Sequence, residues 1–292
     1  MNKTLNINAP AKINLTLDIL KKRSDGYHEV SMVMQSIGLC DKLTIAQLQE
    51  RRIILRGDTA GVAAPEDNLI YKAAELFLDT YDIQGGAEIT LQKNIPIAAG
   101  LAGGSTDAAA VLKGLNRLYG LDLSTGELCR LAEQIGSDVP FCITGGTMLA
   151  QGRGEKLTAL PPAPPLPLVL VKPKSSVSTA WVYKNYHKVQ DSVIHPDSDA
   201  MQRALASGDA DGICKNLGNV LEYVTIPSHP EIAQIKSALL SYGAKAAMMS
   251  GSGPTVFAIA RSTAEAEAIA QKMRENFDAD IFATCTSGTD SF

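Results

Sequence analysis

Ile95-Pro96-Ile97-Ala98-Ala99-Gly100-Leu101-Ala102-Gly103-Gly104-Ser105-Thr106-Asp107-Ala108-Ala109-Ala110 is the stretch on which the reading of this chain turns. Ser105, Thr106 and Asp107 are residue types that cap helix N-termini, and Ala108 to Leu115 reads as helix. Such an end carries unpaired N–H groups and a partial positive charge, so it suits an anion. The small residues before it let a backbone approach a ligand closely. A phosphate cradle is one reading. A small-residue turn that packs a helix tightly on a strand is the other, and the stretch alone favours neither.

The neighbours narrow the choice. Glu88-Ile89-Thr90-Leu91-Gln92 alternates as a strand and runs straight into the loop, so the loop joins a strand to a helix. That helix buries Ala108, Val111, Leu112, Leu115 and Leu118 and stops near Gly120. Upstream, Asp67-Asn68 offers an N-cap to an amphipathic helix whose apolar residues run from Leu69 to Tyr81. Downstream, Ser124 and Glu127 have capping-box spacing. Gly136 ends that helix. In Ser137-Asp138-Val139-Pro140-Phe141, the proline biases Val139 away from helix, so Asp138 falls at a sharp break. Its carboxylate either caps the next helix or stands exposed as a base.

Residues 12–20 alternate almost strictly, with Ile13, Leu15, Leu17 and Ile19 on one face and Lys12, Asn14, Thr16 and Asp18 on the other. A half-buried strand is expected there, with Lys12 and Asn14 projecting together into solvent or into a site. Asp25-Gly26 signals a hairpin turn. Tyr27-His28, directly after it, reads as an ordinary strand pair or as an aromatic shelf beside a hydrogen-bonding ring. Pro161-Pro162-Ala163-Pro164-Pro165-Leu166-Pro167 is a semi-rigid linker and places a domain boundary nearby. Beyond it come a short strand at 168–171, Trp181 read as core, helices near 199–207 and 230–242, a strand–turn–strand over 246–260, a helix over 264–276 and a last strand over 280–285. That order is α+β packing rather than a regular βαβ repeat.

The net charge of −4 gives no bulk electrostatic case for nucleic acid or an anionic membrane. No apolar run is long enough to span a bilayer, and Met1 to Asn6 lacks the apolar core of a signal peptide. A cytoplasmic protein is expected. The five cysteines form no close CxxC pair and the four histidines show no metal-ligand spacing, so neither a zinc site nor a disulfide framework is indicated. There is no G-x-x-x-x-G-K-[ST] motif, and no G-x-G-x-x-G opens the first helix, which argues against a P-loop or a Rossmann domain.

Pro96, Gly100-Leu101 and Gly103-Gly104-Ser105-Thr106-Asp107-Ala108-Ala109 resemble the second motif of the GHMP kinases. Ala9-Pro10-Ala11-Lys12-Ile13-Asn14-Leu15 resembles their first motif, and Ser250-Gly251-Ser252-Gly253-Pro254-Thr255-Val256-Phe257 their third, in the family's order. Arg23-Ser24-Asp25-Gly26-Tyr27-His28 and Gly136-Ser137-Asp138-Val139-Pro140-Phe141 are similar to the branch that acts on a cytidyl-linked sugar alcohol in the non-mevalonate route to isoprenoid precursors.

The resemblance implies a two-domain α+β fold. Residues 1–160 would be the ATP-binding domain and 161–292 a ferredoxin-like α/β substrate domain, with the site in the cleft between them. It implies ATP with Mg²⁺ and transfer of a phosphoryl group to a substrate hydroxyl. Lys12 and Asp138 match the catalytic lysine and base. Pro96, Ile97, Ala98, Ala99, Gly100, Leu101, Ala102, Gly103, Gly104, Ser105 and Thr106 would wrap the triphosphate, with Ser105 near Mg²⁺. Asn68 and Lys93 fall where the family builds its adenine pocket. Asn14, Tyr27, His28, Thr179 and Tyr183 match substrate-contacting positions. The implied partner is a small-molecule substrate bound by a monomer or weak homodimer. Two departures stand out: Ala99 and Ala102 replace loop glycines, which is tolerable if φ is negative there. Two other readings are another GHMP kinase, for homoserine, mevalonate or a sugar, and a non-catalytic ATP-binding sensor. An aromatic pair suited to a base, Tyr27 with Tyr183, counts against the first, and the presence of both Lys12 and Asp138 against the second.

Overall fold

The computed structural model describes residues 3–58 and 67–288; Met1 and Asn2, which enter the reading of the N-terminus, lie outside the described residues. The chain opens with two long strands, β1 (Thr4–Lys22) and β2 (His28–Leu48), joined at Asp25-Gly26. Gly26 takes φ 86° and Asp25 Oδ1 accepts from Tyr27 N at 3.1 Å, the turn that the Asp-Gly pair announces. There follow β3 (Ile53–Gly57), α1 (Leu69–Thr80), β4 (Gly86–Gln92), α2 (Gly103–Tyr119), α3 (Thr125–Ala132), α4 (Val139–Thr144), β5 (Thr147–Gly152) and β6 (Lys156–Ala159). The caps sit where the residue types put them. Asn68 Oδ1 accepts from Ile70 N, Ser124 and Glu127 form a complete capping box, and Gly120 ends α2 in the left-handed region.

The second half runs β7 (Pro167–Pro173), α5 (Thr179–Asn185), α6 (Ser198–Ser207), α7 (Ala210–Lys215), β8 (Gly218–Asn219), α8 (Glu222–Ser228), α9 (Glu231–Ser241), β9 (Ala246–Met249), β10 (Val256–Ile259), α10 (Thr263–Asn276) and β11 (Ala279–Cys285). Two sheets result. The first has the order β3-β4-β2-β1-β8, with β5 and β6 extending from β2. The second has the order β11-β7-β10-β9 and is antiparallel throughout. With α9 and α10 as its crossovers, this is the βαββαβ ferredoxin-like unit. One strand crosses the divide: β8 pairs parallel with β1 through Leu17↔Asn219.

The alternation in β1 is not what a plain strand gives. The register against β2 shifts between Pro10 and Lys12, between Asn14 and Thr16, and between Ile19 and Lys21. Each irregularity lets a strand turn its side chains. Ile13 and Leu15 pack with Leu101, Leu170 and Phe257, whereas Leu17 and Ile19 belong to the larger core under α2. The four therefore do not share one face. The strand is also buried on both sides rather than half-buried, with Asn14 and Thr16 fully inaccessible.

Three further expectations need correction. Ser105, Thr106 and Asp107 lie inside α2; its N-cap is Ala102, and no side chain caps that end. Val139 is helical despite the following Pro140, because a proline in the first turn needs no intrahelical donor. Trp181 is not core but 40% exposed. The cysteines all carry free thiols. No helix among the described residues is long and apolar enough to cross a membrane.

Phe257 is fully buried in the cluster that joins the second sheet to the underside of β1. Phe257→Ala should therefore cost about 3–5 kcal/mol, measured by urea unfolding. A loss below 1 kcal/mol would mean that this cluster does not hold the two sheets together.

Candidate active site

Lys12 sits on β1, only 5% exposed. Its Nζ donates to Asn14 Oδ1 at 2.8 Å and lies 3.8 Å from Asp138 Oδ2. Its own backbone N–H reaches Leu101 O in the glycine loop at 3.2 Å. Asp138 stands at the N-cap position of α4 but makes no capping hydrogen bond. The carboxylate is thus free of the structural role that the sequence left open, and it faces the ammonium instead. Asn14 is fully buried and does not line the cleft. Its amide holds Lys12, so direct substrate contact, expected from the resemblance, is replaced here by support of the lysine.

A cavity of about 1060 Å³ opens above this pair. One wall is the loop after β4: Pro96 to Gly100 and Ala102 to Ser105 line it, with Ile97 and Ala98 exposed. The N–H groups of Gly103, Gly104 and Ser105 fall in the first turn of α2, where no intrahelical acceptor exists. With the helix dipole they make an anion-binding end. Leu101 and Thr106, both expected to wrap a phosphate, do not line the cavity. Leu101 is buried in the core, while Thr106 gives its N–H to Ala102 O and its hydroxyl to Pro10 O. Both residues instead pin the loop against β1.

The loop is also pinned from the second sheet. Gly100 takes φ 74°, and a Cβ there would sit 2.2 Å from Ser250 O. Ser250 Oγ donates back to Gly100 O at 3.0 Å. Gly251 and Ser252, in the turn between β9 and β10, line the cavity beside Lys12. The condition set for the two loop alanines is met at only one of them. Ala99 has no positive φ, but Ala102 takes φ 58°, as Ala98 takes 52°.

Behind the loop, Lys93 Nζ bridges Asp41 at 2.5 Å and Asp107 at 2.7 Å. Asp41 Oδ1 also accepts from the N–H groups of Asn94 and Ile95. Burial pushes the Asp107 carboxyl up to about 7, against the pull of Lys93 and with Asp41 adding to the rise. Its second oxygen is buried without a partner. Lys93 and Asn68 line one end of the cavity with Leu69, Asp58 and Asp67. The side-chain carbonyl of Asn68 is occupied in capping α1.

The other end gathers the aromatics. His28 and Tyr183 rings lie 5.5 Å apart at 41°, and the Tyr27 ring, 55% exposed, lies under the Arg153 guanidinium at 5.1 Å. Burial, then Lys22, holds the His28 imidazole below its ordinary value. Burial pushes the Tyr183 phenol up, and the nearby Asp138 charge adds to this. The Thr179 hydroxyl bonds Ser252 Oγ at 2.7 Å. Lys22, Arg153, Lys184 and His187 also line this end, and sequence reasoning missed all four. The run Lys21-Lys22-Arg23 beside the Tyr27-His28 turn was the available signal. Arg153 lies between Gly152 and Gly154, with no local pattern to mark it.

The model of the GHMP kinases N terminal domain matches residues 68–146, and that of the GHMP kinases C terminal matches residues 201–279. The 4-diphosphocytidyl-2-C-methyl-D-erythritol kinase of Listeria monocytogenes serotype 4b (strain CLIP80459) is 50% identical over 272 residues, 92% of each chain. The kinase of the same name from Geobacillus sp. (strain WCH70) is 49% identical over 277 residues, 95% of each chain. A crystal structure of 4-(cytidine 5'-diphospho)-2C-methyl-D-erythritol kinase superposes with a TM-score of 0.83 at 33% identity, covering 97% of this chain and 100% of that one. Homoserine kinase from Cytophaga hutchinsonii shares the fold, with a TM-score of 0.78 at 20% identity over 99% of this chain and 97% of its own.

An alanine in the left-handed region costs about 1–2 kcal/mol. Ala102→Gly should relieve part of that, so stability rises by up to about 1 kcal/mol in thermal unfolding while ATP affinity changes modestly. A drop in stability would show that the Ala102 methyl makes a needed contact, and an affinity gain of several orders of magnitude that the present loop is impaired.

Proposed function

The chain belongs to the GHMP kinase family, and on that premise we propose that it transfers the γ-phosphoryl group of ATP to the 2-hydroxyl of 4-diphosphocytidyl-2-C-methyl-D-erythritol. The products are the 2-phosphate and ADP, and the reaction belongs to the non-mevalonate route to isoprenoid precursors. The observation that carries this reading is one cavity that holds both a lysine–aspartate pair at the foot of a helix-borne anion loop and an aromatic end fit for a base. The 50% identity to a kinase of that name, over 92% of the chain, supports the choice of acceptor.

Phosphoryl transfer asks little covalent chemistry of a protein; positioning and charge stabilisation carry it. Asp138 takes the proton of the attacking hydroxyl. Lys12, 3.8 Å away, faces that carboxylate and favours the alkoxide as it forms. The N–H groups of Gly103, Gly104 and Ser105 hold phosphate oxygens. Ser105 is the proposed protein contact for Mg²⁺: a hydroxyl on the cavity wall suits a hard cation that takes most of its other ligands from phosphates and water. Held there by Ser105, the ion would supply neutralisation of the triphosphate charge. Lys93 and Asn68 border the proposed adenine end.

At the acceptor end Tyr27 and Tyr183 flank the cytosine, with His28 at its edge and Thr179 nearby. Lys22, Arg153 and Lys184 give that end a cationic lining suited to a diphosphate. The proposed domains are residues 1–160 for ATP and residues 161–292 as the C-terminal partner. The acceptor end is shared, with Tyr27 and His28 from the first and Thr179 and Tyr183 from the second. A cytoplasmic location and a monomer or weak homodimer complete the proposal.

A coupled ADP-release assay with a panel of the cytidyl substrate, homoserine, mevalonate and a hexose tests the acceptor. No turnover of the cytidyl substrate at any Mg²⁺ concentration overturns the reading. In Asp138→Asn, turnover should fall by roughly two to four decades, the share of a general base, with binding of both substrates retained; near-normal turnover removes Asp138 from the proton transfer. His28→Ala should raise KM for the cytidyl substrate more than for ATP. Because His28 is held below the ordinary imidazole value of about 6.5, it is neutral at pH 7, and the wild-type KM should rise only as pH falls below that value. A KM that starts to rise above pH 7, or an equal loss for both substrates in His28→Ala, would remove His28 from base recognition.

A further inference from the structure

Asn219 is 5% exposed and belongs to none of the three motifs. It sits on β8, the two-residue strand that carries the second half of the chain onto β1. Its amide nitrogen donates twice, to Met249 O at 2.9 Å and to Gly251 O at 2.8 Å. Its carbonyl accepts from Leu221 N at 3.0 Å. Three residues beyond Asn219, Glu222 Oε1 accepts from Met249 N at 2.8 Å. Met249 is the last residue of β9, where the ladder to β10 stops. Its peptide groups are therefore taken up by side chains from the β8–α8 corner.

The segment held in this way is the Ser250–Gly253 turn. Ser250 Oγ bonds Gly100 O, and a Cβ on Gly251 would lie 3.1 Å from Gly100 O and 3.5 Å from Lys12 Nζ. The turn is thus wedged between the glycine loop and the lysine, and its far side is fixed by Asn219. We infer that Asn219 is a positioning residue for phosphoryl transfer: it sets the depth at which the Ser250–Gly253 turn enters the cleft and so fixes the Gly100 loop against Lys12. The inference rests on the kinase reading above. Buried amide donors aimed at two carbonyls have no hydrophobic substitute, since the orphaned carbonyls would stay dry and unpaired.

The test uses the full chain. Asn219→Ala should lower kcat on the order of 10²-fold, the scale of a small misplacement at a reacting centre, with KM for the cytidyl substrate within about twofold. Asn219→Ser, which keeps one donor, should recover part of that loss. Combined with Ser250→Ala, which cuts the link to Gly100, the double variant should lose no more than the worse single variant, because both act through the same turn. Leu239→Ala, a fully buried truncation in α9, is the control for stability loss alone and should leave kcat unchanged once folded. Amide exchange at residues 250–253 should rise in Asn219→Ala and not in Leu239→Ala.

An unchanged kcat in Asn219→Ala, a multiplicative double variant, or the same kcat loss in Leu239→Ala overturns the assignment. If neither Asn219 variant folds, Ser250→Ala alone decides: it must show the same kcat-specific loss. Absence of wild-type turnover would strike the acceptor reading instead, and the exchange measurement would then decide, with unchanged exchange at 250–253 overturning the anchoring.

Discussion

Lys12 carries an ammonium group that is almost entirely out of water, and a charge that dry is tolerable only with partners in fixed places. Asn14 supplies the short neutral bond and Asp138 the longer charged one. At 3.8 Å Asp138 is not locked into a close ion pair, and with no capping hydrogen bond to make its carboxylate is left open to the cleft. The irregular β1 strand serves the same end. A regular strand would put Lys12 and Leu17 on opposite faces, but the register shift between Asn14 and Thr16 lets both line the cavity.

The loop above this pair is held by strain and by docking rather than by caps. Ala98, Gly100 and Ala102 all adopt positive φ, and two of the three have a side chain that resists it. Such a conformation persists only where the surroundings over-determine it. Here they do so from two directions: Leu101 and Thr106 bind β1 at Lys12 and Pro10, and Ser250 grips Gly100 from the other sheet. The backbone N–H groups of the first α2 turn are thereby held in fixed positions, the preorganisation that the proposed phosphate site needs. The buried Asp41–Lys93–Asp107 cluster supports the same helix from behind.

Where the sequence misled, a local rule met a long-range contact. Ser105, Thr106 and Asp107 are good capping residues, yet none caps α2, because Thr106 bonds Pro10 O and Asp107 bonds Lys93 instead. Asn14 looked like a substrate contact and is a clamp on Lys12. Trp181 was assigned to the core by type and is exposed. Asn219, Arg153 and Lys184 carried no motif, and only their arrival at the cleft or its turn marks them.

The sequence alone determined what depends on a few consecutive residues: the Asn68 and Ser124 caps, the Asp25-Gly26 turn, the Gly120 stop and the order of elements that makes the second half a βαββαβ unit. It also determined the chemistry available, since the identities of Lys12, Asp138, Tyr27 and His28 are local facts. Only the tertiary structure decided which of these groups meet. Lys12 and Asp138 are joined through a register shift in β1 and a short helix far along the chain. The left-handed turn at Ala102 and the wedge of Ser250–Gly253 come from two sheets pressing on one loop. Pairing over such distances is fixed by how whole elements pack, and a pattern confined to neighbouring residues carries no trace of it.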